Sequence, residues 1–95
     1  MIKISVTEED VSLARLYLKE PEVCRTRVCP IALAVRRATK ADEVRVMNAC
    51  NIEVDDRSFY PDNWWKVKKF IHWFDIGEGG KPSFPLKFSL LRRKG

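Results

Sequence analysis

The hydrophobic positions of this chain recur with two different periods, and each period predicts a different kind of element. Residues 2–6 alternate between apolar and polar side chains, which indicates a first strand that is buried on one side. Thr7 and Asp10 have the spacing of a helix capping box, so a first helix is expected over residues 8–19. Pro21 ends this helix, because the residue before a proline is disfavoured in the helical conformation.

A second helix is predicted to begin at Cys29 and Pro30, after a loop over residues 22–28. Proline fits the first turn of a helix, where its missing N–H costs no hydrogen bond. The apolar residues of this helix form a narrow stripe of mostly small side chains, which favours close packing against another element. The stripe consists of Ile31, Ala34, Val35 and Ala38.

Alternation of apolar and polar residues then predicts two strands, over residues 43–49 and from residue 52 to residue 54. Cys50 and Asn51 are expected to form the hairpin turn between them, since asparagine tolerates a positive φ angle. A second turn is expected at residues 55–57.

The third helix is the most hydrophobic part of the chain, and it is expected between an N-cap at Asp62 and the glycine at Gly77. Its buried side is predicted to cover an arc of roughly 120°. The residues assigned to that side are Trp64, Val67, Phe70, Ile71 and Phe74. The residues assigned to the opposite, solvent-facing side are Trp65, Lys66, Lys69, His72 and Trp73.

A final strand is predicted over residues 82–90, where every second residue from Phe84 is apolar. Pro85 favours an edge position for this strand, because proline cannot donate a hydrogen bond to a neighbour. Residues 91–95 are expected to form a short basic tail. The resulting order is β-α-α-β-β-α-β, so we expect one α+β domain over residues 1–95. Its sheet should be mainly antiparallel, with the helices packed on one face.

Composition restricts the class of protein. A chain of 95 residues with 45% hydrophobic and 33% charged residues is typical of one folded domain. Neither a membrane-spanning run nor a signal peptide is recognisable, and three cysteines are a poor basis for a disulfide framework. The cytoplasm is therefore the expected compartment.

The charge of the chain, formally +5, is distributed in blocks. Residues 23–40 contain five basic and no acidic side chains, whereas residues 41–62 contain six acidic and two basic ones. The chain from residue 63 to residue 95 is basic again. Such blocks predict positive and negative faces, and the positive faces suit either an acidic protein or a nucleic acid.

Two arrangements of cysteine are candidates for chemistry. Cys29 lies at a helix start near arginines, which favours a reactive thiolate, but the sequence offers only His72 as a base. Cys24, Cys29, Cys50 and His72 include zinc-binding residue types, but their spacing matches no known paired-cysteine motif. We therefore expect no enzymatic activity and no cofactor.

The solvent-facing side of the third helix is the main functional candidate. Tryptophans beside cations are typical of protein-binding hot spots, and the same residue types form stacking surfaces for nucleic acids. A second layer of structure covering one tryptophan is the competing structural explanation. Together with Arg36 and Arg37 at the rim, the predicted binding residues are Trp65, Lys66, Lys69, His72 and Trp73.

Three short motifs resemble small uncharacterised proteins of bacteriophage and prophage origin. They are Cys29-Pro-Ile-Ala-Leu-Ala34 with Arg36-Arg37, then Phe70-Ile71 with Phe74-Asp75-x-Gly77, and Pro85-x-x-Phe88-x-Leu90. The resemblance implies a non-enzymatic accessory protein that binds a host or defence protein in the host cytoplasm. A nucleic-acid-binding module using the same basic face is the alternative.

Overall fold

The computed structural model describes residues 2–93, which form a five-stranded antiparallel sheet with helices packed against one face. The α+β class is thereby confirmed. The elements are β1 (Ile2–Val6), α1 (Glu8–Tyr17), α2 (Arg25–Val28), α3 (Pro30–Thr39), β2 (Val44–Asn48), β3 (Asn51–Val54), β4 (Arg57–Pro61), α4 (Trp64–Ile76) and β5 (Leu86–Arg92).

The strands are ordered β1-β5-β4-β3-β2, and every neighbouring pair is antiparallel. The three helices between β1 and β2 therefore take the chain from one edge of the sheet to the other. α3 contacts both edge strands, β1 and β2. Inward-facing residues of all five strands join α3 and α4 in one hydrophobic core. Its largest fully buried members include Phe70, Ile4, Ile31, Ile52 and Leu90.

The predicted starts of α1 and α3 are confirmed in atomic detail. The Thr7 N–H donates to Asp10 Oδ2 at 2.9 Å, and the Asp10 N–H donates to Thr7 Oγ1 at 3.3 Å, which completes the capping box. Cys29 caps α3, because its sulfur accepts the Ala32 N–H at 3.4 Å. α1 ends at Tyr17 instead of residue 19. The Leu18 N–H makes the last i→i−4 hydrogen bond, to Ala14, whereas the N–H groups of residues 19 and 20 donate to carbonyls three residues back.

The predicted order lacked two elements. The loop before α3 contains the single helical turn α2, and β4 adds a strand that the sequence analysis treated as turn and linker. β4 begins directly after Asp55 and Asp56, which both have positive φ angles of 45° and 69° and form a two-residue hairpin turn. The preceding hairpin turns at residues 49–50, one residue earlier than expected.

Two predictions about the C-terminal region were wrong. β5 lies between β1 and β4 inside the sheet, so the edge position inferred from Pro85 does not hold. The strand begins at Leu86, four residues after its predicted start at residue 82, so Pro85 lies outside it. The proposed tail is also shorter than expected, because Leu91 and Arg92 pair with β4. The last two residues of that tail, 94–95, lie outside the described part of the chain.

Candidate binding surface on the fourth helix

α4 buries little of its surface for a helix of 13 residues. Only Val67 and Phe70 are fully buried, although Ile71, Trp73 and Phe74 also pack against the core. The helix ends at Gly77, whose φ of 75° is suited to glycine and whose N–H donates to Trp73 O at 2.8 Å. Its two halves differ in their surroundings, and we describe them as the anchored half (residues 70–76) and the open half (residues 64–69).

The anchored half is held by contacts from α1, α2 and the segment before β5. The Trp73 ring lies 5.8 Å from Phe70 and 6.2 Å from Phe84, between ring centroids. The Arg15 guanidinium stacks over Trp73 at 5.6 Å from the ring centroid. Arg25 also forms an ion pair with Asp75 at 2.8 Å. The prediction that Trp73 faces solvent was therefore wrong, because residues distant in the sequence cover it.

The open half exposes two adjacent indole rings. Trp64 is 45% and Trp65 48% exposed, and their ring centroids lie 6.1 Å apart with an angle of 86° between the planes. Trp65 faces solvent as predicted. Trp64 was assigned to the buried side and is instead exposed, because it is the first residue of the helix and extends beyond the core.

Three lysines accompany these rings. Lys66, Lys68 and Lys69 are exposed, and none forms an ion pair within residues 2–93. Lys66 lies in the first turn of α4, where the helix dipole disfavours positive charge. Asn63 is the N-cap residue of α4, and its side chain makes no capping hydrogen bond within residues 2–93.

A shallow groove of about 640 Å³ runs along this side of the helix. Its walls include Trp64, Trp65, Lys68 and Lys69, and it ends at His72 and Glu78. His72 Nε2 lies 3.7 Å from Glu78 Oε2. Lys68 was missed by the sequence analysis, although its position four residues after Trp64 places both on one side of the helix.

Arg36 and Arg37 do not extend this surface. Arg37 donates to Asp10 Oδ1 and, at 2.8 Å, to the Ser5 carbonyl, so its charge is directed towards α1 and β1. Burial raises the pKa of Asp10, but hydrogen bonds from Arg37 and Thr7 outweigh it and hold that pKa below its ordinary value of 3.8. The Arg36 Nε is buried without a hydrogen-bond partner in the described chain. Their placement at the binding rim was therefore wrong.

Two further hollows border α4. An apolar cavity of about 170 Å³ lies where α2, α3 and β2 meet the anchored half. A groove of about 400 Å³ separates the β2–β3 turn from Trp64, Lys68 and His72. Both hollows include Met47, Asn48 and Ile71 in their walls.

The three cysteines differ in their surroundings: a hydrogen bond with Thr26 lowers the pKa of the exposed Cys24 thiol, whereas Cys29 is largely buried. Burial raises the pKa of the Cys29 thiol to about 11, so the thiolate is scarce at neutral pH. Cys24 and Cys50 are free and exposed. Within the described range, no three His, Cys, Asp or Glu side chains come close enough together to hold a metal ion.

Comparison with known proteins gives no relative: no family model, curated protein or solved structure matches the chain. Between residues 2 and 93, no helix has the length and apolar character required to cross a membrane.

Proposed function

We propose that this protein acts by binding another protein through one surface of α4, which we call the open-half surface. It consists of His72, at the border of the anchored half, and five residues of the open half: Trp64, Trp65, Lys66, Lys68 and Lys69. The observation that supports this proposal most strongly is the pair of half-exposed indole rings beside lysines that have no acidic partner within residues 2–93. Tryptophan is enriched among the residues that dominate binding energy at protein interfaces.

The stability of the isolated domain does not account for these residues. A lysine in the first turn of a helix opposes the helix dipole and costs about 0.3–1 kcal/mol. Lys66 occupies the third helical position, where an acidic residue would instead be favourable. A partner that supplies negative charge would reverse this penalty, so the proposed partner presents acidic groups to the open half.

The proposed action is binding without catalysis, and the raised pKa of Cys29 favours it over a thiol enzyme. The likeness to phage and prophage proteins suggests a host or defence protein in the host cytoplasm as the class of partner. That class rests on the resemblance alone.

A nucleic acid is the second candidate, because lysines and indoles also bind single strands. The two rings are nearly perpendicular, at 86°, so they do not offer parallel faces to successive bases. This arrangement favours a protein partner.

The test is affinity capture from native cells with the wild-type protein and the double variant Trp64→Ala/Trp65→Ala. The matched control is Leu16→Ala/Tyr17→Ala, which removes two exposed apolar side chains from α1. We expect one set of proteins to be recovered with the wild type and the control and lost with the tryptophan variant. Equal recovery with a folded tryptophan variant would contradict the proposal.

Binding to a nucleic acid is tested separately by fluorescence anisotropy with a labelled single strand of about 20 nucleotides. Phosphate contacts would make affinity fall steeply between about 50 and 200 mM salt. We expect no saturable binding at the lower salt concentration. Tight, salt-dependent binding that is lost in Trp64→Ala/Trp65→Ala would favour the nucleic-acid function instead.

A further inference from the structure

The apolar cavity beside the anchored half has the size of one side chain. Its volume of about 170 Å³ is several times the ~30 Å³ that a water molecule occupies in the liquid. Its walls are mostly apolar and include Ile31, Val46, Phe70 and Phe74. A site for a small polar ligand would require converging polar groups that orient it. The composition of these walls instead suits a large aliphatic or aromatic group.

The cavity and the open-half surface both border a third hollow, the groove beside the β2–β3 turn. This groove shares Met47 and Ile71 with the cavity, and it shares Lys68 and His72 with the groove along the open half. The three hollows therefore lie next to one another along α4, and we call them together the trough. A helix of 13 residues is about 20 Å long, so a short peptide segment can occupy the whole trough.

Charge along the trough is unevenly compensated. At the cavity, Arg25 and Asp75 neutralise each other in an ion pair at 2.8 Å. In the open half, Lys68 and Lys69 have no ion-pair partner in the described chain. An occupant that matches this pattern is apolar at one end and acidic at the other.

We infer that the partner binds through a single acidic segment whose one large apolar side chain enters this cavity while its carboxylates lie over Lys68 and Lys69. This inference rests on the proposed function and specifies the chemistry of the partner. The apolar side chain supplies buried area at the anchored half, and the carboxylates pair with lysines that have no ion-pair partner in the described chain.

The experiment is selection of displayed random peptides of about eight residues, enough to span the trough in extended form, on the immobilised wild-type protein. We expect enrichment of peptides that combine one Leu, Ile, Met, Phe or Trp with several Asp or Glu residues. Synthetic copies are then measured against Thr26→Phe, which places a ring in the cavity, and Thr26→Val, which keeps the size of the side chain.

The expected result is a loss of peptide affinity of about tenfold or more in Thr26→Phe and in Lys68→Glu, with little change in Thr26→Val. Methyl spectra of the wild-type protein give an independent readout if Thr26→Phe does not fold. The methyl groups of Ile31 and Ile71 should shift with the selected peptide and not with a copy whose apolar residue is alanine.

The possible failures are distinguishable. Some peptides could bind Thr26→Phe as tightly as wild type, leave both methyl signals unchanged and fail to bind Trp64→Ala/Trp65→Ala. Such peptides would overturn the cavity inference and leave the proposed function intact. Peptides that require the cavity but bind Trp64→Ala/Trp65→Ala normally contradict both a binding site that extends along α4 and the open-half surface. Selection that yields no acidic peptides, or no enrichment at all, overturns the inference.

Discussion

The two halves of α4 both contain tryptophan, but they have opposite relations to the rest of the protein. In the anchored half, Trp73 packs against two phenylalanines and Asp75 is paired with Arg25. In the open half, Trp64 and Trp65 contact each other and remain half exposed. Tryptophan therefore packs against the core at one end of the helix and is exposed to solvent at the other.

The difference extends to the basic residues. Arg15 stacks on aromatic rings, Arg25 pairs with Asp75, and Arg37 binds Asp10, so each of these arginines is held within the fold. The open-half lysines have no such partners within residues 2–93. These three arginines therefore connect helices to their neighbours, whereas the open-half lysines remain exposed to solvent.

The largest expected effect distinguishes the halves by stability. Phe70→Ala removes a ring that is 1% exposed and should lower the free energy of unfolding by about 3–5 kcal/mol. Trp65→Ala removes a half-exposed ring and should cost about 1 kcal/mol or less. Urea denaturation monitored by circular dichroism measures both. Comparable losses for the two variants would mean that the open half is also part of the stabilising core.

Asp10 should give the next largest effect, since it holds one of the partnered arginines. Asp10→Ala removes the capping box and the ion pair with Arg37, and we expect a loss of about 2 kcal/mol at neutral pH. Folding lowers the pKa of Asp10 below its ordinary value of 3.8. The contribution of this carboxylate to the free energy of unfolding is therefore complete at pH values above 3.8, and it is lost as the pH falls through the lower pKa of the folded state.

Urea denaturation at about pH 7 and pH 3 measures this dependence. The difference between wild type and Asp10→Ala should be smaller at the acidic pH. A difference that stays constant or grows on acidification would contradict the assigned direction of the pKa shift.

A smaller loss is expected at the cation–aromatic contact of the anchored half. Arg15→Ala removes the guanidinium that stacks on Trp73 and Phe74 and should cost about 1 kcal/mol. Lys19→Ala is the matched control, because it removes an exposed cation just beyond the same helix. Thermal denaturation of both variants is the measurement, and equal midpoints would show that the stacking adds no stability.

The smallest effect should have the opposite sign. Lys66→Glu places an acidic residue in the first turn of α4 and should stabilise the protein by about 0.5 kcal/mol. The same change should weaken partner capture, because it removes a cation from the open-half surface. A variant that is less stable would contradict the expected dipole effect, and one that captures the partner as well as wild type would place Lys66 outside the binding surface.

Local sequence signals predicted the element boundaries well wherever one side chain determines the backbone. Thr7 and Asp10, Cys29, and Gly77 were each located correctly, because capping and positive φ angles are properties of a few neighbouring residues. β4 was missed, since Pro61 at its end resembles a helix entry. Asp62 was expected to cap α4, but its carboxylate instead accepts the Ser89 N–H of β5.

The site was only partly predictable for a different reason. Helical periodicity assigned Trp64 inward and Trp73 outward, and both assignments were wrong. The spacing of apolar residues predicts the direction in which a side chain points from the helix, but not which other residues pack against it. Trp73 is covered by Arg15 and Phe84, which are distant in the sequence, whereas Trp64 lies beyond the end of the core.

The most direct test of the open-half surface is site-specific photo-crosslinking in native cells. A photoreactive phenylalanine derivative replaces Trp65 in one variant and Leu16, an exposed residue of α1, in the other. We predict a discrete crosslinked product dominated by one protein from position 65 and none from position 16. No product at position 65, or the same products from both positions, would contradict the account.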